Sequence, residues 1–62
     1  MGKNSYFIEL RDTLRKGADI VDELLELEKR EECGEDVEEE CEALMGRFIV
    51  VFMKLNKISE KL

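Results

Sequence analysis

An all-α fold, specifically a two-helix antiparallel hairpin that dimerises into a four-helix bundle, is predicted by three features of this 62-residue sequence. Val37, Cys41, Leu44, Phe48, Val51, Leu55, Ile58 and Leu62 keep four-and-three spacing through eight positions without a miss, the pattern of one helical stripe. Cys33-Gly34 breaks the helical pattern near the middle of the chain. With no Pro and only four Gly, little sequence remains for loops. The whole chain, 1–62, is expected to be a single domain.

The first helix is expected over about 5–32. Asn4 or Ser5 can cap the free N–H groups of its first turn, and its apolar positions fall at Phe7, Leu10, Leu14, Val21 and Leu24, with Gly17 in the missing place. Alternating three-and-four spacing of this kind is the seam of a packed helix pair. Cys33-Gly34 reads as the helix end, since glycine enters the left-handed region without a Cβ penalty. The turn is expected at 33–36 and the second helix at about 37–61. Asp36 and Glu39 have the spacing of a capping box, with Asp in place of Ser or Thr. So short a connection forces antiparallel neighbours. Phe48-Ile49-Val50-Val51-Phe52 has β propensity when taken alone, but the unbroken stripe through it and the lack of a partner strand predict helix.

Both helices carry more apolar residues than one partner helix can cover. Met45, Ile49 and Phe52 run beside the second helix's stripe, with Val50 and Met53 extending it, while Tyr6, Ile20, Leu25 and Leu27 flank the first seam. At about 1.5–3 kcal/mol per buried large side chain, half a dozen left in water forgo on the order of 10 kcal/mol, as much as a small domain's whole stability. Self-association recovers that burial. The expected oligomer interface comprises Phe7, Leu10, Leu14, Val21 and Leu24 with Leu44, Met45, Phe48, Ile49, Val51, Phe52, Leu55 and Ile58.

A net charge of −6 opposes binding to nucleic acid or to an anionic membrane surface, both of which reward clustered Lys and Arg. The most apolar stretch, Ala43 to Met53, contains Gly46 and Arg47 and falls short of the ~20 residues of a membrane span. Residues 1–5 lack the apolar core of a signal peptide, and position 6 is Tyr where a myristoylation motif needs Ser or Thr. Two cysteines are too few for a disulfide scaffold, so reduced thiols and a cytoplasmic protein are expected.

The sequence has no His, which excludes His-based acid–base catalysis and His-ligated metals. Ser5, Thr13 and Ser59 have no activating base nearby and read as caps or surface residues. Cys33 and Cys41 lack redox or zinc spacing, and Cys41 lies on the apolar stripe. Asp22-Glu23-Leu24-Leu25-Glu26 places acids one turn apart and is similar to half of the motif of all-α nucleotide pyrophosphohydrolases. That resemblance implies Mg²⁺-dependent hydrolysis through Glu23 and Glu26, but the second acidic pair that such enzymes use does not follow. No cofactor is expected. The acids Glu38-Glu39-Glu40 suit the positive end of the second helix's dipole, and Asp12–Lys16 and Glu26–Arg30 have i,i+4 spacing.

What remains is a non-enzymatic, homodimeric interaction protein that regulates or adapts a larger protein partner. The layout is similar to that of plasmid copy-number regulators of the ROP type, short helical hairpins dimerised into four-helix bundles; the resemblance is one of architecture. A second expectation is an acidic decoy that imitates nucleic acid, as phage-encoded inhibitors do. Between Asp22 and Glu42 twelve acids face two bases, a local net of −10, and Asp22, Glu23, Glu26, Glu35, Asp36, Glu38, Glu39 and Glu42 would form the partner-binding face. The rest of the chain carries a net of +4, which predicts an antiparallel dimer with its two turns at opposite ends.

Overall fold

The computed structural model describes residues 2–62, and side chains from residue 5 onward. Two helices, α1 (Gly2–Glu32) and α2 (Glu38–Lys61), form an antiparallel hairpin, and there is no strand among the described residues. At ~1.5 Å per residue the 31 residues of α1 span about 46 Å, which accounts for the 50 × 14 × 10 Å dimensions of the hairpin. The segment 48–52 is helical throughout, as its periodicity predicts.

α1 begins at Gly2, ahead of the expected start near residue 5. Asn4 and Ser5 therefore stand inside the helix rather than at its cap, and the side chain of Asn4 lies outside the described residues. The other end of α1 closes in a Schellman motif. Gly34 has φ +96°, the Glu35 N–H donates to the Arg30 carbonyl at 3.1 Å, and the Gly34 N–H donates to the Glu31 carbonyl at 2.9 Å. In many such motifs the flanking residues make an apolar contact; here Arg30 Nε donates to Glu35 Oε1 at 3.2 Å instead.

The start of α2 differs from the expected capping box. Val37, not Asp36, occupies the N-cap place and makes no side-chain cap bond. Asp36 Oδ1 accepts from the Glu38 N–H at 3.1 Å, and the reciprocal bond from the Asp36 N–H to the Glu39 carboxylate is not formed. The reason is burial: Val37 is drawn into the core with Ile20, Leu27, Leu44 and Val51, so the helix starts one residue later than the Asp36–Glu39 spacing requires. The three acids that follow, Glu38, Glu39 and Glu40, occupy the first turn, where the helix dipole favours them.

The α2 stripe packs as expected through Ile58, whereas its last position, Leu62, is exposed at the C-cap. Leu44, Val51 and Ile58 are buried, and Cys41, Phe48 and Leu55 are half-buried against the core. The α1 seam is different. Its inward positions are Tyr6, Leu10, Thr13, Gly17, Ile20, Leu24 and Leu27, again in four-and-three spacing, whereas Phe7, Leu14 and Val21 are exposed. Leu10, Gly17 and Leu24 belong to both series, so periodicity alone permits either phase. The turn chooses between them, because a short connection that buries Val37 brings Leu27 and Ile20, not Val21, onto α2. Thr13, expected at the surface, is buried in this seam, its hydroxyl donating to the Glu9 carbonyl one turn back at 2.6 Å. At Gly17 the helices approach closely: a Cβ there would lie 3.4 Å from Val51 Cγ1.

Candidate interaction surface

In an antiparallel pair, the residues that follow each seam position point to one side of the hairpin on both helices, and the residues that precede it point to the other. The two sides of this hairpin differ sharply in chemistry. On the side that follows the seam, α1 presents Phe7, Arg11, Leu14, Ala18, Val21, Leu25 and Glu28, and α2 presents Glu38, Glu42, Met45, Ile49, Phe52, Asn56 and Ser59. Phe7, Leu14, Val21, Leu25, Met45, Ile49 and Phe52 are all exposed there, forming a broad apolar strip broken by Arg11 and bounded at the turn end by Glu28, Glu38 and Glu42.

The opposite side is almost wholly polar. α1 contributes Glu9, Asp12, Lys16, Asp19, Glu23, Glu26 and Arg30, and α2 contributes Asp36, Glu40, Arg47, Lys54, Lys57 and Lys61, with Ala43 and Val50 as the apolar exceptions. Ion pairs cross between the helices on this side. Arg30 holds Glu40 through two bonds, Nη1 to Oε2 at 2.8 Å and Nη2 to Oε1 at 3.1 Å. Arg47 stands 3.9 Å from Glu23. At the open end the Lys61 ammonium lies 5.4 Å from the centre of the Tyr6 ring.

Arg30 therefore serves the cross-helix bridge rather than the expected i,i+4 pair with Glu26, which pairs with Lys29 at 3.8 Å. Asp12 likewise meets Arg11 at 3.1 Å, not Lys16. The hydrogen bonds it donates to Glu40 and then to Glu35, followed by the charges of both, raise the Arg30 guanidinium above its ordinary value. A raised cation is stabilising below its unfolded pKa and loses that contribution only as pH climbs through the folded one, so this bridge persists across the physiological range.

The expected interface residues thus separate into two groups. Leu44, Val51 and Ile58 are spent inside the hairpin, and Leu10, Leu24, Phe48 and Leu55 are half-buried there. Phe7, Leu14, Val21, Met45, Ile49 and Phe52 remain in water. The spacing pattern counted all of them together; only the hairpin's own packing tells which are already covered.

The acids also divide. Glu28, Glu31, Glu35, Asp36, Glu38 and Glu42 rim an open groove at the turn end, whose floor is Leu24, Leu27, Val37 and Cys41. Glu23 and Glu26, the two acids of the hydrolase-like motif, lie outside this groove and pair with Arg47 and Lys29. Asp22 and Glu39 do not line it either. Among the described residues no cluster of three metal-ligating side chains is assembled. Both cysteines are free, Cys33 exposed and Cys41 half-buried. No helix among the described residues is long and apolar enough to cross a membrane.

Fold and surface together define an all-α helical hairpin with one apolar and one charged side. Set against protein-family models, curated proteins and solved structures, the chain matches none.

Proposed function

We propose that this chain is a non-enzymatic interaction protein, a homo-oligomeric helical hairpin that regulates or adapts a larger protein by direct contact. The observation that carries this reading is the segregation of its exposed large apolar side chains: among the described residues seven of the eleven, from Phe7 to Phe52, stand on one side of the hairpin, with ion pairs and lysines on the other. Contiguous apolar surface of that kind marks an association site. The charged side, with exposed Val50 set among Lys16, Asp19 and Arg47, remains available to a different protein. Free thiols support placement in the cytoplasm, where cysteines stay reduced.

Light scattering across a micromolar dilution series tests the self-association. A mass of twice 7.3 kDa or a higher multiple is expected, with strongly helical circular dichroism. A folded monomer at all concentrations refutes it. Affinity capture from the native host then identifies the larger partner.

A second reading, the acidic decoy of a nucleic-acid-binding enzyme, is favoured by the carboxylates around the turn-end groove. Its signature is binding to a basic nucleic-acid enzyme that weakens steeply with salt, whereas an adaptor that uses an apolar face loses little.

A further inference from the structure

We infer that the apolar side is covered by a second copy of this chain, lying antiparallel with its turn at the opposite end, with Phe7 of each copy seated in the turn-end groove of the other. This rests on the self-association proposed above and adds the face, the orientation and the register.

Area is the first argument. The hairpin exposes 5086 Å². A compact monomer of 7.3 kDa exposes only ~4,200 Å² by the usual size scaling. The excess of about 900 Å² matches the ~800 Å² per partner of a standard protein interface. A second hairpin of the same length can cover it without leaving either end bare.

Charge sets the orientation. Along the apolar side, Arg11 stands toward the open end, whereas Glu28, Glu38 and Glu42 stand at the turn end. A second copy with its turn alongside the first would set these acids against their own duplicates. Reversed, each copy's arginine meets the other's carboxylates, which are close enough to escape screening over a Debye length of ~8–10 Å.

The register follows from the hairpin's own pairings. Tyr6 is level with Lys61, Gly17 with Val51, Glu23 with Arg47 and Arg30 with Glu40. On that scale Phe52 is level with about residue 16 of α1, Ile49 with about residue 20 and Glu42 with about residue 28. The apolar strip is then centred near Ala18, and a two-fold axis placed there carries Phe7 to the level of residue 29 on the other copy. That is the position of the groove floored by Leu24, Leu27, Val37 and Cys41. That axis lies across the hairpin and sets α1 against α1 of the other copy, so Arg11 arrives at the level of residue 25, beside Leu25 and within about one helical turn of Glu28 on the groove's rim.

Arg11→Cys and Leu25→Cys introduced together, with Cys33 and Cys41 replaced by Ala, test all three elements. Within one chain positions 11 and 25 are 14 residues apart on α1, or ~21 Å, too far for an internal disulfide. Mild oxidation should give a covalent dimer whose digest contains the 11–25 peptide pair. As an independent ruler, spin labels on the native Cys33, exposed at the turn, should lie on the order of 45 Å apart. A dimer that brings the labels within ~15 Å overturns the antiparallel arrangement while leaving self-association intact. A dimer with widely spaced labels but no 11–25 link overturns the register. A monomer overturns both this inference and the reading beneath it, and assigns the face to another protein.

Discussion

Phe52 and Met53 are neighbours on α2 with nearly the same exposure in the single hairpin, 56% and 57%. Judged from one chain alone, replacing either by Lys removes a similar amount of apolar contact and should be tolerated alike. They point to different surroundings, however: Phe52 belongs to the apolar side and Met53 to the back of α2, away from both the seam and the apolar strip. Full burial of a large apolar side chain is worth about 1.5–3 kcal/mol, so covering the exposed half of Phe52 adds about 1 kcal/mol per chain. A symmetric dimer contains the residue twice, and Phe52→Lys should cost it roughly 2–3 kcal/mol before any penalty for burying an ammonium. At about 1.4 kcal/mol per decade the dissociation constant rises on the order of 30- to 150-fold. Met53→Lys should stay within about 0.5 kcal/mol of the parent, as exposed substitutions do. Sedimentation equilibrium over a dilution series, with circular dichroism to confirm that helix is retained, measures both. Equal effects of the two substitutions would refute a covered face on the Phe52 side.

Three further outcomes follow from the packing inside the hairpin. Val51→Asp buries an unpaired carboxylate against Ile20 and Leu44 in the core, so it should abolish most helical signal at every concentration rather than merely dissociate an oligomer. Gly34→Ala meets no atom within 4 Å, so its cost is that of the backbone at φ +96°, about 1–2 kcal/mol in urea unfolding at fixed protein concentration. Gly34→Asn should be milder, because asparagine tolerates the left-handed region. Thr13→Val removes a buried hydroxyl bonded only to a carbonyl of its own helix; a gain of about 0.5–1 kcal/mol is expected, and a loss would reveal another partner for that hydroxyl.

The α2 stripe, the turn at Gly34 and the antiparallel sense of the hairpin were all legible in residue order. Each depends on chemistry local to a few turns: an unbroken four-and-three spacing, a residue that accepts positive φ, and a connection too short for any other return path. The excess of apolar surface was equally legible, since it follows from counting side chains against the width of one helix face.

The phase of α1 was not legible. Leu10, Gly17 and Leu24 fit two overlapping series, one completed by Phe7, Leu14 and Val21 and the other by Tyr6, Thr13, Ile20 and Leu27, and the first is the more apolar at its Thr13 equivalent. Local periodicity assigns both series to nearly the same face, a fraction of a turn apart. Only the closed turn, with Val37 buried and Arg30 bridged to Glu40, rotates α1 so that Ile20 and Leu27 enter the core. The same rotation turns Phe7, Leu14 and Val21 outward beside Met45, Ile49 and Phe52. The sequence by itself determined that this chain has more apolar surface than it can bury; the tertiary structure decided which side of the hairpin carries it, because the relative rotation of two helices is fixed by contacts between them and not by either helix alone.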